Sequence, residues 1–485
     1  SFAKAKILFQ EGLVDFQNEK YEKAEINFLE SLKLLPDRLS TIQNLISTYA
    51  ATEQKQKLKE TLENYKHLKK EKEILYGIAY DHFFEENYTK SIEICENLIN
   101  FEKFRHSSFD LLASNFKKQK LFLKALKIYK QKIKEKKDYL IYYNIGCLFF
   151  DLGRVRQALY YFKKSKDLKN SNNATLWNLS LCYLTLGNLD IGFSLYEYRW
   201  LKKNNPPTKK FENIEIPSKI DEIKDKNILI SDEQGLGDTV NFSRFVIELL
   251  SFTKKITFVV NSKLTKLLSN LSKDIIVVDY ENLEVKNFDY HISLCSLPRF
   301  LKKKNFDDIN YYPLNIDSKK ITNIEKNKIN IGLAWSGNPN FYLDEYRSIP
   351  FKNFEPILNI KNTNFFKLSQ SPKVKEFQGD IIKSNLLDLG DKSIFEISQV
   401  MQELDLVVSS DTSIIHLAGI LNIKSILLLN YNSEWRWFKD ETKTVWYPSV
   451  DIIKQKKFHS WDKVFLELKS RIEKLILETK KDNKN

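Results

Sequence analysis

Over the first ~205 residues, apolar and polar positions alternate at helical spacing, and the pattern itself recurs along the chain. One unit opens at Gly12 and runs through Tyr21, Ala24, Phe28, Ser31 and Pro36. Shifts of about 33 residues recover it in Ala79, Tyr88, Ser91, Cys95 and Leu98, and then in Ala113, Phe122, Ala125 and Tyr129. It returns in Gly146, Val155, Ala158, Phe162 and Ser165, and again in Ser180, Leu189 and Gly192. A stretch between about 40 and 72 fits by length and poorly by sequence. Each unit reads as two antiparallel helices, with small residues where the helices approach and large ones filling the gap to the next unit. About six units are predicted over residues 1–205. A generic amphipathic bundle has no fixed period, so the period favours a repeat array.

After residue 226 the texture changes. Short apolar runs, NILIS, ITFVVN, IIVVDY and DYHISLCS, alternate with helical stretches, and a second series follows in INIGLAWSG, FFKLSQ, DLVVSSD and SILLLN. Strands of this kind separated by helices predict parallel sheets covered on both faces. Two α/β halves are expected, at 227–318 and 328–478. Pro206, Pro207 and Pro217 break any helix in 206–226, which reads as a connector. WDKVFLELKSRIEKLILETKK predicts a long amphipathic final helix, and residues 479–485 are expected to be disordered.

Composition narrows the picture. The 485 residues are 42% apolar and 29% charged, enough to bury cores. The net charge is +14, from 77 Lys+Arg against 63 Asp+Glu, and only ten residues are arginine. Lysines spread along a chain read as a solvated surface with mild affinity for acidic surfaces, whereas nucleic-acid binding calls for clustered cations and exposed aromatics. No nucleic-acid partner is expected, and membrane association is at most peripheral. Cys95, Cys147, Cys182 and Cys295 form no metal-pair spacing and no disulfide framework. No stretch approaches the ~20 apolar residues of a membrane span, and the N-terminus carries no signal-peptide run, so a cytoplasmic protein is expected.

Three segments could carry chemistry. In DEQGLGDTV, residues 232–240, Gly235 and Gly237 allow a turn and the close approach of a ligand, and Asp238 stands at a helix start, where capping is the plainer role. The G-x-G-x-x-G spacing of a dinucleotide site is absent. In LDLVVSSDTSIIHLAG, a strand ends at Asp411, Thr412 and Ser413 and leads into a helix carrying His416 one turn in, an arrangement suited to a phosphate or to a simple cap. In GLAWSGNPNFYLDEYRSIPF, a strand ends in a turn containing Asn338, and Arg347 follows in a loop as an anion-contact candidate. Trp435, Arg436, Trp437, Trp446 and Tyr447 read mostly as core packing.

The helical units, with their small–aromatic–small order, resemble tetratricopeptide repeats. Followed by EQGLGDTV, GLAWSGNP…RSIP, DLVVSSDTSIIHLAG, EWRWF and WYPS, they resemble bacterial repeat proteins with a glycosyltransferase-like C-terminal half, similar to the heptosyltransferase branch of the GT-B fold. The implied architecture is an all-α tetratricopeptide solenoid followed by an α/β GT-B-like pair of Rossmann domains. The implied activity is metal-independent, inverting transfer from a nucleotide-diphosphate sugar to an acceptor hydroxyl, with a protein acceptor presented in the repeat groove. That resemblance makes Asp238 the candidate base. It makes Asp411, Thr412, Ser413 and His416 donor contacts and places Arg347 near where heptosyltransferases have a lysine against the phosphates; Arg347 is taken with Asp238 as a catalytic candidate, and Gly235, Gly237 and Asn338, from the two strand-end turns, complete the expected donor site. No cofactor beyond the nucleotide sugar is implied. The alternative is a non-catalytic tetratricopeptide scaffold with a degenerate GT-B module.

Overall fold

A computed structural model describes residues 2–201, 211–285, 287–320, 324–341, 344–369, 386–439 and 443–482. The chain divides into two compact units, residues 1–152 with 167–170, and residues 153–166 with 171–485.

The first unit is built of α1 (Phe2–Gln17), α2 (Tyr21–Leu34), α3 (Leu39–Ala51), α4 (Lys55–Asn64), α5 (Lys72–Phe84), α6 (Tyr88–Leu98), α7 (Glu102–Lys118), α8 (Phe122–Glu135) and α9 (Tyr139–Asp151). Small residues set how closely paired helices approach. A Cβ on Gly12 of α1 would stand 2.6 Å from the Phe28 ring of α2. Serines complete the crossings, since a buried hydroxyl must find an acceptor. Ser31 Oγ donates to the Ala5 carbonyl at 2.9 Å, and Ser91 Oγ donates to the Ala79 carbonyl at 2.8 Å. The stretch at 40–72 that fits the repeat poorly by sequence is nevertheless a hairpin, α3 with α4, whose Ile42, Leu45, Ile46, Tyr49 and Leu58 are buried.

The second unit opens with α10 (Val155–Leu168) as far as Lys166, followed by α11 (Asn173–Thr185) and α12 (Leu189–Tyr196). Gly192 of α12 repeats the Gly12 device, its Cβ position lying 2.6 Å from Leu184, and Ser180 Oγ donates to its carbonyl at 2.9 Å. Within the units, α1–α8 and α11–α12 thus run as helical hairpins. The turns between successive helices carry one backbone signature. Glu19, Glu53, Glu86, Lys120, Gly153 and Gly187 all adopt left-handed φ, between 54° and 79°, at successive separations of 34, 33, 34, 33 and 34 residues.

Two parallel sheets follow. The first has the order β3-β2-β1-β4, from β1 (Asn227–Ser231), β2 (Lys255–Val260), β3 (Ile275–Asp279) and β4 (Tyr290–Ser293). The second has the order β10-β9-β8-β5-β6-β7, from β5 (Ile329–Ala334), β6 (Thr363–Lys367), β7 (Leu386–Asp388), β8 (Leu406–Ser410), β9 (Ser425–Leu429) and β10 (Val450–Lys454). Alternate residues of each strand enter different cores, as the two-residue period of a strand requires. Ile331, Leu333, Leu406, Val408, Ile426 and Leu428 pack on one side of the second sheet. There they meet Val464, Phe465, Leu468, Ile472 and Ile476 of the final helix, Asp462–Asp482. Val407, Leu427 and Leu429 face the other way, into a core that also takes Ile228, Ile230 and Phe258 of the first sheet and Leu184, Leu189, Phe193 and Tyr196 of the last hairpin. Trp435 anchors this junction, its ring centroid 5.9 Å from Phe193 and 5.7 Å from Tyr196.

Two sequence expectations change. The tail expected to be disordered from 479 is helical through Asp482, because the amphipathic pattern keeps Ile472 and Ile476 in the core and carries the helix past them; residues 483–485 lie outside the described residues. The connector read at 206–226 is partly packed. Residues 202–210, with Pro206 and Pro207, lie outside the described residues, but Phe211 is buried against Leu229 and Val259, and Ile223 enters the main core. Among the described residues, no helix is long and apolar enough to cross a membrane.

A left-handed backbone costs a non-glycine residue about 1–2 kcal/mol, against about 0.5–1 kcal/mol for the extra chain entropy that glycine loses on folding. Glu53→Gly and Glu86→Gly, both at exposed turns, should therefore each stabilise the protein by about 0.5 kcal/mol. Glu53→Ala should not, since alanine carries the same Cβ. Thermal unfolding midpoints check this; a lower midpoint for both glycine variants would count against the turn assignment.

Candidate functional site

In a doubly wound sheet, the crevice that takes ligands lies outside the carboxyl ends of the strands where the strand order reverses. The first sheet reverses between β1 and β4, and the second between β5 and β8. From these ends come the loop 232–235 and helix α13 (Leu236–Glu248), residues 336–341 and 344–347, and the turn at Asp411–Ser413 ahead of the helix Ser413–Ile420. The loop after β9 adds Glu434 and Arg436.

Arg436 is the hub of this constellation, with its side chain only 7% exposed. Its Nε lies 2.6 Å from Asp238 Oδ1, an ion-pair distance without hydrogen-bond alignment. Nη2 donates to Gln234 Oε1 at 2.6 Å, and Nη1 donates to Glu434. Burial works against the charge, but Asp238, Tyr196 and Glu434 more than offset it and hold the pKa well above its ordinary value. Gln234 in turn donates through Nε2 to the Tyr196 hydroxyl of α12 at 2.8 Å. Gln234 has φ 66°, a strained setting for a non-glycine residue, and these two side-chain bonds hold it there.

Asp238 stands in the first turn of α13. Its Oδ2 accepts from the Gly235 N–H at 2.9 Å, so it caps the helix and pairs with Arg436 at once. Gly235 itself has φ −103° and needs no glycine-only backbone. Gly237 does meet the expectation of a close approach, but the approaching group is His416, whose Cδ2 would lie 2.8 Å from a Cβ there. Any side chain at 237 would force α13 away from the helix Ser413–Ile420.

His416 is buried, stacked on Trp437 at 5.1 Å and 23°, with Nδ1 3.0 Å from the Tyr447 hydroxyl. Burial, and then the positive fields of Arg436, Arg244 and Arg347, lower its pKa to about 3, so the ring is neutral at physiological pH. Thr412 caps the same helix, accepting from the Ile414 N–H at 3.3 Å, and its hydroxyl lies 3.1 Å from Ser409 Oγ. Ser413 is partly exposed at the helix start. Asp411 is buried and its pKa is raised to about 6, first by burial and then by Glu434, with Arg347 and Arg436 opposing.

Arg347 donates through Nε to Asp344 Oδ1 at 3.1 Å and lies over the Phe341 ring at 4.4 Å. Gly337 makes room for it, since a Cβ there would come 2.6 Å from Nη2. Asn338 is exposed and shapes its own turn, accepting from the Asn340 N–H at 3.0 Å. The structure thus brings Asp238, Asp411, His416, Arg347 and Arg436 into one electrostatic cluster, with Gly235, Gly237, Thr412 and Ser413 shaping the loops around it. Asn338 belongs to the neighbouring turn.

Reasoning from the sequence passed over Gln234, Glu434 and the structural role of Arg436, and also a second buried cation. Arg199 forks onto Glu233 at 2.8 and 2.7 Å, pairs with Glu197 at 2.8 Å and donates to Ser296 Oγ at 2.7 Å. The available signal was scarcity: with ten arginines in 485 residues, one inside an aromatic cluster and one at a helix end stand out. Among the described residues, no group of three His, Cys, Asp or Glu could hold a metal ion.

Several solved structures align with part of the chain. A thermophilic tetratricopeptide-repeat protein from Thermus thermophilus aligns at 13% identity and TM-score 0.34, covering 37% of this chain and 99% of its own. A tetratricopeptide-repeat protein from Parabacteroides merdae aligns at 15% identity and TM-score 0.33, over 42% and 80%. The iron-containing dodecameric glycosyltransferase TibC from enterotoxigenic E. coli aligns at 12% identity and TM-score 0.36, over 49% and 66%. No protein-family model and no curated protein sequence matches the chain.

Two stability measurements test the electrostatics. Asp411 binds a proton in the folded protein up to about pH 6 but has an ordinary pKa of 3.8, so native stability falls as pH rises between those values. Asp411→Asn should gain on the wild type through that window and level off above it, by at most about 3 kcal/mol at 1.36 kcal/mol per pK unit. A pH-independent difference in urea unfolding would refute the raised pKa. Arg436→Met leaves Asp238 and Glu434 without their shared cation and should cost about 3–5 kcal/mol; a loss under 1 kcal/mol would show the cation to be dispensable.

Proposed function

We propose that the two parallel sheets form a GT-B-like pair that transfers a sugar from a nucleotide-diphosphate donor to an acceptor hydroxyl, with inversion, and that the helical repeats present a protein acceptor. The supporting observation is the convergence of charged side chains from both sheets at their paired strand-order reversals. Neither half supplies the cluster alone, since Asp238 comes from the first and Arg347, Asp411 and Arg436 from the second.

In this reading the acceptor oxygen attacks the anomeric carbon as the bond to the diphosphate breaks. Asp238 takes the acceptor proton, which requires it to exchange its contact with Arg436 or the Gly235 N–H for the acceptor hydroxyl. The leaving diphosphate gains negative charge, and Arg347 with the positive end of the helix Ser413–Ile420 stabilises it. Thr412 and Ser413 add hydroxyls at that helix start. Asp411 accepts from sugar hydroxyls, a role that suits a buried carboxylate better than contact with phosphate. His416, neutral and within the core, supports this floor through Trp437 and Tyr447 rather than by charge.

A second reading draws on one observation. Both Asp238 oxygens are already engaged and His416 is packed between helices, so the cluster also serves as a brace joining the two sheets. On that reading the module is a non-catalytic scaffold, and the repeats act through protein partners alone.

A panel of UDP-, GDP-, ADP- and CDP-sugars separates the two. A donor at about 100 times its Kd should stabilise the protein by about 2.7 kcal/mol, visible as a rise in unfolding temperature. Asp238→Asn should retain that rise and lose about 100- to 10,000-fold in turnover, as expected for removal of a general base. Arg347→Ala should lose the rise. If no nucleotide sugar shifts the transition, the scaffold reading holds.

A further inference from the structure

Charge of one sign gathers on the outward face of α8. Residues 117–137 hold ten lysines and one glutamate. Four of those lysines meet partners within the chain: Lys117 pairs with Asp151, Lys132 with Asp110 and Lys136 with Asp138, and Lys120 is engaged as well. The other six, Lys118, Lys124, Lys127, Lys130, Lys134 and Lys137, are exposed, and none forms an ion pair among the described residues. We propose that this face docks the repeat array onto a bilayer surface of anionic phospholipids. The inference concerns α8 alone and holds whether or not the sheets transfer sugar.

Helix periodicity brings them together. At 3.6 residues per turn, Lys124, Lys127, Lys130 and Lys134 fall with Leu123 and Gln131 on one arc of about 120°, opposite the buried Ala125, Leu126 and Tyr129. Packing between hairpins does not call for this charge. Seven and ten positions after the left-handed turn residue, α4 has Glu60 and Glu63 and α6 has Glu93 and Glu96, all exposed; α8 has Lys127 and Lys130. Like charges three and four positions apart destabilise a helix, and the four lysines of the arc follow one another at those spacings. Lys124 and Lys130 lie over the Phe116 and Phe149 rings at 5.5 and 5.9 Å, contacts that attract a cation but leave its charge in place. An anionic surface outside the helix relieves the repulsion along its 14 residues, about 21 Å.

The kind of cation and its neighbours select among anionic partners. Residues 106–153 contain no arginine, so the face lacks the planar forks that grip single carboxylates and phosphates. Ammonium groups on flexible stems suit a diffuse field of headgroups, and about four to eight of them on one amphipathic helix hold an anionic bilayer. Leu123, 63% exposed within the lysine arc, and Leu121, 39% exposed just before the helix, find a hydrocarbon phase to enter at a membrane interface. Single-stranded nucleic acid is held by aromatic rings that stack on bases, and the outward arc of α8 holds none.

The test is co-sedimentation of the full chain with vesicles of phosphatidylserine and phosphatidylcholine in equal amounts, and with vesicles of phosphatidylcholine alone. The chain should bind the first and not the second. Lys124→Gln, Lys127→Gln and Lys130→Gln together should lower partitioning about 100-fold, at roughly 1 kcal/mol per lysine. Glutamine has nearly the helix propensity of lysine, so α8 stays folded, which an unchanged far-ultraviolet spectrum checks. Lys4→Gln, Lys6→Gln and Lys23→Gln together, equal in charge change and exposed on α1 and α2, should cost less than about three-fold. Leu123→Ser should also weaken partitioning, as a contact that enters the interface requires. Equal losses in the two triple variants would reduce the effect to net charge and overturn the proposal, as would equal binding to the uncharged vesicles. Vesicle binding unaffected by the α8 triple, with loss of binding to labelled oligothymidylate or hexaglutamate, would assign the face to a polyanion and overturn it too.

Discussion

Arg436 is a charge placed where water scarcely reaches, and the second unit is arranged around meeting its demands. A guanidinium taken out of water must have its donors matched by acceptors, or it costs several kcal/mol. Here the counter-charges and acceptors come from different parts of the fold. Asp238 belongs to the first sheet's leading helix, Glu434 to the arginine's own loop, and Gln234 to the strand end that reaches Tyr196 of the last helical hairpin. The hydrogen-bonding capacity of one side chain therefore fixes how two sheets and a hairpin meet. Arg199 repeats the arrangement a short distance along the chain, tying the end of the same hairpin to Glu233 and Ser296.

Hydrophobic burial could join these parts, and it does through Trp435, but apolar contact alone tolerates small slips. Directional bonds to a planar cation do not. The strain held at Gln234 fits this view. A left-handed glutamine is tolerated because its amide is needed on both sides, towards the tyrosine and towards the arginine. Around this frame the remaining charges divide by position. Asp411, buried with an acidic neighbour, holds its proton to higher pH than an ordinary carboxyl, while His416, buried and then opposed by nearby arginines, gives its proton up.

The repeats were legible because their signal is local and recurs. Gly12, Ala24, Ala79, Ala158 and Gly192 mark helix crossings at a readable period. The α3–α4 hairpin was harder to see because it lacks those markers, and its turn uses Glu53 where a glycine would have advertised the left-handed bend. The alternating texture after residue 226 gave parallel sheets, but β7 and β10 escaped notice: LLD and VDIIK are short and broken by charge. Site residues on strand-to-helix turns could be named, since strand ends and glycine loops leave a trace in sequence. Their partners could not. Asp238 and Arg436 stand 198 positions apart, and nothing local to either announces the other. Gly237 shows the same limit, for its smallness was readable while the neighbour requiring it, His416, was not.

The last hairpin shares a core with the sheets, and this bears on how such a chain can change over generations. Repeat proteins commonly gain and lose whole units, because each unit contacts chiefly its neighbours. Hairpins whose buried residues are confined to the repeats can follow that course. The pair α11–α12 cannot, because Phe193, Tyr196 and Arg199 are partners of Trp435, Gln234 and Glu233. Duplication or deletion is free to alter the number of hairpins within α1–α8, while α11–α12, with the start of α10 that meets Tyr431 and Lys439, is inherited together with the α/β half as a single heritable block.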